Sequence, residues 1–178
     1  LWPLDIANSY RKEESTDDHC IDFNFGYLSN SNKRNKRFSM RLNIPVHYLN
    51  RGLKDIRNLG DQYLQDRRWT FNPGIYISDG GFFNLQYYMS SSLPRLEDKL
   101  DVTDNAYPLF VRMGNPDLRT AYVHSLSLTI KTNRPKISQW LNCNISSNII
   151  QNEIKRAITY DRITGITTTQ PRNIDGNW

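Results

Sequence analysis

The sequence predicts a mainly β or α+β fold, with antiparallel sheets of about seven or eight strands covered by two helices. A β-sandwich is one arrangement of such sheets. Three observations support this fold class. Apolar and polar residues alternate with a period of two in several stretches, aromatic residues make up 12% of the chain, and Gly, Pro, Asn and Asp separate the apolar runs.

The clearest predicted hairpin covers residues 20–44. Its two arms are apolar at every second position, and the loop between them is rich in Ser, Asn, Lys and Arg. We expect one face of each arm to pack into the protein interior and the other to face water. The alternating apolar residues are Ile21, Phe23, Phe25 and Tyr27 in the first arm, and Phe38, Met40 and Leu42 in the second.

Further strands are predicted along the rest of the chain. Residues 75–78 and 82–89 form a second hairpin through Asp79-Gly80-Gly81, and residues 109–113 and 120–132 form two more strands. A last small hairpin is expected at residues 160–169, around Gly165, and one helical turn at residues 95–100.

Two stretches have apolar residues at intervals of three or four, which predicts amphipathic helices. The first is residues 46–63, which follow Pro45, and the second is residues 145–158. Each helix is expected to cover one face of a sheet.

The chain of 178 residues is predicted to form one β-rich domain, residues 20–170, between an N-terminal arm or short helix (1–19) and a C-terminal tail (171–178). No apolar run is as long as a helical membrane span, and no signal peptide is visible. We therefore expect a cytoplasmic or virion protein. Cys20 and Cys143 match no metal-binding spacing, so we expect neither a metal site nor a cofactor.

The charge balance, 23 − 18 = +5, favours an anionic partner such as nucleic acid or an anionic membrane surface. Four cations crowd the tip of the first hairpin, and three others are candidates to help them. The predicted polyanion-binding residues are Lys33, Arg34, Lys36, Arg37, Arg67, Arg68 and Arg134.

The preferred functional hypothesis is a non-enzymatic structural and assembly protein of viral or phage type, such as a matrix, capsid or tail component. It would contact a polyanion through the basic hairpin tip and like subunits through its ends. Two alternatives remain open. One is a metal-dependent nuclease, because Asp79, Glu97 and Lys99 follow the general plan of such sites, in which carboxylates hold a cation and a lysine stabilises charge. The other is a purely protein-binding subunit.

Overall fold

The computed structural model describes residues 10–31, 36–57, 62–101, 103–134 and 139–175, and these ranges are almost entirely β-structure. They contain eleven strands and one short helix, α1 (Leu96–Lys99). The strands are β1 (Tyr10–Ser31), β2 (Lys36–Arg57), β3 (Gln62–Phe71), β4 (Gly74–Asp79), β5 (Phe83–Ser92), β6 (Thr103–Tyr107), β7 (Phe110–Met113), β8 (Ala121–Arg134), β9 (Gln139–Gln151), β10 (Glu153–Tyr160) and β11 (Thr167–Ile174).

The larger sheet has seven antiparallel strands. Six of them follow the order β1-β2-β4-β5-β8-β9, and β3 also pairs with β2. Strands β3 and β4 lie end to end along β2, because β3 pairs with Val46–Asp55 and β4 with Phe38–Asn43. Asn72 and Pro73 join these two strands, so β2 is paired along nearly its whole length.

The smaller sheet has the order β10-β11-β7-β6, in which β11 and β7 run parallel. The second passage of the chain from the larger sheet to the smaller one, between β9 and β10, is at Asn152, which has a φ of 54°. The side-chain amide of Asn173 donates to the Asn152 carbonyl (2.8 Å) and stabilises this left-handed corner.

The prediction of a mainly β fold with antiparallel sheets is confirmed, although the described residues contain more strands than the seven or eight expected. Both predicted hairpins of the larger sheet are present, as are the long strand near residues 120–132 and the helical turn near residues 95–100. Strand β1 begins inside the predicted arm and β11 ends inside the predicted tail. The division of the chain into arm, domain and tail stays a prediction.

The prediction of two covering helices is wrong. Residues 46–57 continue β2, and residues 145–158 belong to β9 and β10. In β2 the helix-like spacing arises because Val46 and Leu53 lie on opposite faces of one strand. In the second stretch, the corner at Asn152 interrupts the alternation, so isoleucines from two strands mimic a helical period.

The buried core of the described residues is small. Leu53 of β2 packs with Leu96 and Leu100, and Leu64 of β3 lies against this cluster. The segment around α1, residues 93–101, therefore covers the end of β2 and β3 on one face. Among the helices described, none has the length and apolar character needed to cross a membrane.

Candidate functional site

One face of the larger sheet is mainly apolar from β1 to β9, with Asp79, His124 and Ser147 among its polar exceptions. Residues that are Cα partners point to the same face, and the registers place apolar side chains opposite one another from β1 to β9. Two rows of partners illustrate the pattern. Phe25, Leu42, Ile75, Tyr87 and Leu126 form one, which ends in the polar Ser147 on β9, and Tyr27, Met40, Ile77, Leu85, Leu128 and Ile145 form the next.

The opposite face of the same strands is polar. The row between those two apolar rows consists of Gly26, Arg41, Tyr76, Gln86, Ser127 and Ser146. In this row the Arg41 guanidinium carbon lies 5.9 Å from the centre of the Tyr76 ring. The sheet thus separates a mainly apolar surface from a polar one.

The apolar face is open rather than buried, which corrects the expectation that it forms the protein interior. Phe25 and Ile145 are 59% and 57% exposed, and Tyr27, Met40 and Leu126 are exposed as well. No second layer of the described residues covers these side chains. A contiguous exposed apolar surface of this extent marks a contact with another apolar phase or a partner.

Aromatic rings lie at both ends of this apolar face. At one end Tyr27 and Phe38 have ring centres 6.4 Å apart. At the other end Tyr48 stacks on His19 (6.5 Å) and packs against Trp69 (4.9 Å). We call the apolar face between the Phe38 row and the Tyr48 row the apolar band.

Beyond the Tyr48 row the same face becomes polar. The next row consists of Asp17, Asn50 and Arg67, in which the Asn50 amide donates to the Asp17 carboxylate (3.3 Å). The strands β1, β2 and β3 therefore extend past the apolar band, and this extension is polar on the same face.

A buried ionic cluster lies on the polar face of this extension. Asp66 of β3 accepts from Arg51 of β2 (2.5 Å) and from Arg68 (2.7 Å), and the Lys99 ammonium lies 3.6 Å from it. Arg51 also donates to the Pro94 carbonyl (3.0 Å), and Arg68 donates to the Thr120 hydroxyl (2.7 Å). These contacts attach the segment 93–101 and the residue that precedes β8 to the paired strands β2 and β3.

The electrostatics of this cluster distinguish its two central groups. Burial of the Asp66 carboxyl opposes its ionisation, but hydrogen bonds from Arg68 and Arg51 outweigh this effect and hold its pKa below the ordinary value. Burial lowers the pKa of Lys99, and the positive charge of Arg68 lowers it further, while Asp66 offsets only part of the shift. The carboxylate is therefore well stabilised as an ion, whereas the ammonium group is not.

Among the predicted polyanion-binding residues that the structure describes, Arg37 lies far from Arg67 and Arg68. Arg37 is exposed, and Lys33 and Arg34 lie outside the described residues. Arg68 pairs with Leu49, twelve residues from Arg37 along β2, which is about 40 Å. Arg67 and Arg68 lie on opposite faces of β3. The backbone of Arg134 pairs with Gln139 at the end of β8, at the same end of the sheet as Lys36 and Arg37. That these residues contact a polyanion stays a prediction.

The nuclease residues are also separated. Asp79 pairs with Phe38 near one end of β2. Glu97 forms an ion pair with Lys12 of β1 (3.2 Å). The strand partner of Lys12 is Asp55, which is seventeen residues from Phe38 along β2. That is about 55 Å at the rise of a strand. Lys99 belongs to the ionic cluster around Asp66, so the three residues do not form one site.

Sequence reasoning missed the apolar band and the ionic cluster. The alternation of residues 21–27 and 122–130 was visible, and alternating segments of about ten residues between turns are a known but weak sign of strands exposed to lipid. No sequence signal connects Arg51, Asp66 and Lys99, because they come from three separate elements.

A comparison with protein families gives one match: the model of the outer membrane protein beta-barrel family covers residues 70–178, which is 109 of the 178 residues. Neither a curated protein nor a solved structure gives a significant match to the chain.

This match corrects the functional hypothesis. It points to a bacterial outer membrane protein, so the predictions of a viral or phage structural protein, of nucleic-acid binding and assembly, and of a cytoplasmic or virion location are wrong. It also replaces the alternatives of a nuclease and of a purely protein-binding subunit. Contacts with an anionic membrane surface or with like subunits stay predictions.

Proposed function

Because the chain belongs to the outer membrane protein beta-barrel family, we propose that its larger sheet forms part of the wall of a barrel that spans the outer membrane. The apolar band faces lipid, and the polar face encloses a hydrated interior. The observation that carries this proposal is the register-aligned separation of a mainly apolar face from a polar face between β1 and β9.

The pattern fits a membrane wall for two physical reasons. In hydrocarbon every backbone N–H and C=O needs a partner within the protein, and paired β-strands supply those partners. Membrane strands also carry lipid-facing and interior-facing residues in alternation, with aromatic residues at the two boundaries of the apolar zone. Tyr27 and Phe38 at one end and Tyr48 and Trp69 at the other correspond to such boundaries.

The dimensions of the apolar band support the same proposal. Phe38 and Tyr48 are ten residues apart on β2, which is about 34 Å along an antiparallel strand. At the tilt of 35–45° found in membrane barrels, this length gives a height of about 24–28 Å. The apolar zone of outer membrane barrels is about 25 Å tall, so the band has the height that the membrane requires.

The segment 93–101 has a defined place in this arrangement. It packs on the polar face of β2 and β3 beyond the apolar band, where Leu96 and Leu100 meet Leu53. We propose that it lies on the interior side of the barrel wall near one opening. There the cluster around Asp66 fixes the segment to the wall.

Cysteine labelling of two neighbouring residues tests the proposed orientation. Ile145→Cys lies on the apolar face of β9, and Ser146→Cys lies on its polar face. The side chains of Ile145 and Ser146 are both exposed, so no other part of the described protein would shield either cysteine from the reagent. Each variant is made in a background of Cys20→Ser and Cys143→Ser and reconstituted in lipid vesicles. A charged, membrane-impermeant maleimide is expected to modify Ser146→Cys and to leave Ile145→Cys unmodified.

A second readout identifies lipid as the cause of any protection. A fluorophore placed on Ile145→Cys before reconstitution is expected to be quenched by lipids brominated on their acyl chains, and one on Ser146→Cys is not. In urea both cysteines should react equally. Equal labelling of the two variants in vesicles, or the reverse pattern, would refute the assignment of the two faces.

A further inference from the structure

Cysteine, histidine and aspartate side chains meet on the polar face of β1 and β2. Cys20 and His47 are register partners, and the Cys20 Sγ lies 3.6 Å from the His47 Nε2. The other ring nitrogen, Nδ1, lies 3.1 Å from an oxygen of Asp18. Asp22 is next on this face, with its Oδ1 3.8 Å from the Cys20 Sγ. Cys20 is exposed and the His47 side chain retains 25% of its exposure, so solutes can reach both groups.

We infer that Cys20 and His47 bind a divalent metal ion of the Zn²⁺ or Cd²⁺ type. Thiolate and imidazole are the ligands that such ions prefer. With Zn–S and Zn–N bonds of about 2.3 and 2.05 Å and a tetrahedral angle, the two donor atoms of one ion are about 3.6 Å apart. The separation of Sγ and Nε2 in this protein has that value.

The surroundings of the pair suit a metal ion. A histidine that binds metal through one nitrogen donates its other N–H to a carboxylate, which fixes the ring and makes the free nitrogen a better ligand. Asp18 holds this position behind His47. The carboxylates of Asp18 and Asp22 also concentrate negative charge around the thiol, which attracts a cation. On binding, the thiol releases its proton to water and the ion takes the thiolate.

The site is a two-ligand site as it stands. Within the described ranges no three His, Cys, Asp or Glu side chains are grouped so that they could hold a metal ion together. Water molecules would complete the coordination of the bound ion. The sequence predicted no metal site because Cys20 and His47 are 27 residues apart and only the pairing of β1 with β2 joins them.

Cadmium titration of the full chain in detergent micelles tests this inference. Thiolate–Cd²⁺ bonds absorb in the ultraviolet, and we expect one equivalent of Cd²⁺ to produce this band, with Zn²⁺ competing for the site. Cys20→Ser should abolish the band. Asp18→Asn should weaken binding about 10- to 100-fold, as the loss of a carboxylate behind a metal-binding histidine does. His47→Gln should weaken it at least as much.

Cys143 provides the matched control, because it is the second cysteine of the chain and pairs with Ile130 on the apolar face. Cys143→Ser should keep the full Cd²⁺ band. The absence of the band in the unaltered protein, its persistence in Cys20→Ser, or full-affinity binding by His47→Gln would overturn the inference. Circular dichroism verifies that each variant is folded. The labelling of Ile145→Cys and Ser146→Cys does not depend on metal, so it tests the proposed orientation separately.

Discussion

A charge placed on the apolar band should destabilise the protein in a membrane far more than the same charge on the opposite face. Leu126 is 45% exposed and lies in the row of Leu42, which is four residues from Phe38 and six from Tyr48 along β2. At about 3.4 Å per residue and the tilt of membrane strands, this row lies about 10 Å from one boundary and 15 Å from the other. Leu126 is therefore near the middle of the membrane.

The expected cost of Leu126→Arg follows from this depth. An arginine on the lipid-facing surface at the bilayer midplane destabilises a barrel by about 2–4 kcal/mol. The equilibrium constant of unfolding should rise by about 30- to 1,000-fold. Urea unfolding in lipid vesicles, followed by the change in gel mobility of the folded barrel, measures this difference.

Gln86→Arg is the matched control. Gln86 is exposed on the polar face and pairs with Ser127, the residue next to Leu126, so the new charge enters at nearly the same depth. Because this side chain faces the hydrated interior, we expect a stability within about 0.5 kcal/mol of the parent protein. Equal destabilisation by the two variants, or a larger cost for Gln86→Arg, would refute the assignment of lipid and interior faces.

The other predictions concern the ionic cluster and the packing of the segment 93–101, and unfolding in vesicles measures each of them. Asp66→Asn should cost about 3–5 kcal/mol, because it leaves buried cations without their carboxylate. Since the pKa of Asp66 lies below 3.8 in the folded protein, its stabilising effect should be present above about pH 4 and fall as the pH decreases below that value. Lys99→Met should keep or raise stability at neutral pH, because the lowered pKa of Lys99 means that the folded state disfavours its charge. In the protein with Lys99, the destabilising effect of this charge should lessen as the pH rises toward 10.5. A loss of stability in Lys99→Met as large as that in Asp66→Asn would contradict this reasoning. Gly114→Ala should cost about 1–3 kcal/mol, because its Cβ would overlap the Leu100 carbonyl, whereas Gly26→Ala, with no atom within 4 Å of its Cβ, should cost nothing.

The sequence was informative about strands and uninformative about their environment. The alternation around Phe25 and Leu126 identified β1 and β8 correctly. Alternation shows that the two faces of a strand differ, but the apolar face can meet either a protein core or lipid. The sequence predicts that one face of these strands packs into a protein interior, which the described residues do not form.

The helix predictions failed for a related reason. Strand β2 leaves the apolar band near Tyr48, and its apolar contacts then move to the other face, where Leu53 meets the segment 93–101. Such a change of face within one strand gives apolar spacings of three and four, which are typical of a helix. A helix and a strand whose apolar residues change face therefore give the same spacing, and only knowledge of what each part of the strand contacts distinguishes them.

The candidate sites could not be predicted because they depend on pairing between distant strands. Cys20 and His47 become neighbours through the register of the first hairpin, and Arg51 meets Asp66 through the pairing of β2 with β3. The cations of the hairpin tip were noticed only because four of them lie within five consecutive positions of the sequence. Their proximity in sequence did not indicate which charges the fold brings together.

Spin labels placed one at a time at residues 21–28 of β1 test the central claim most directly. In vesicles, the collision rate of each label with oxygen, which concentrates in lipid, is compared with that of a water-soluble nickel chelate. We predict that oxygen accessibility peaks at Ile21, Phe23, Phe25 and Tyr27, and that nickel accessibility peaks at the residues between them. Accessibilities that show no period of two, or that rise and fall together for both reagents, would contradict the account.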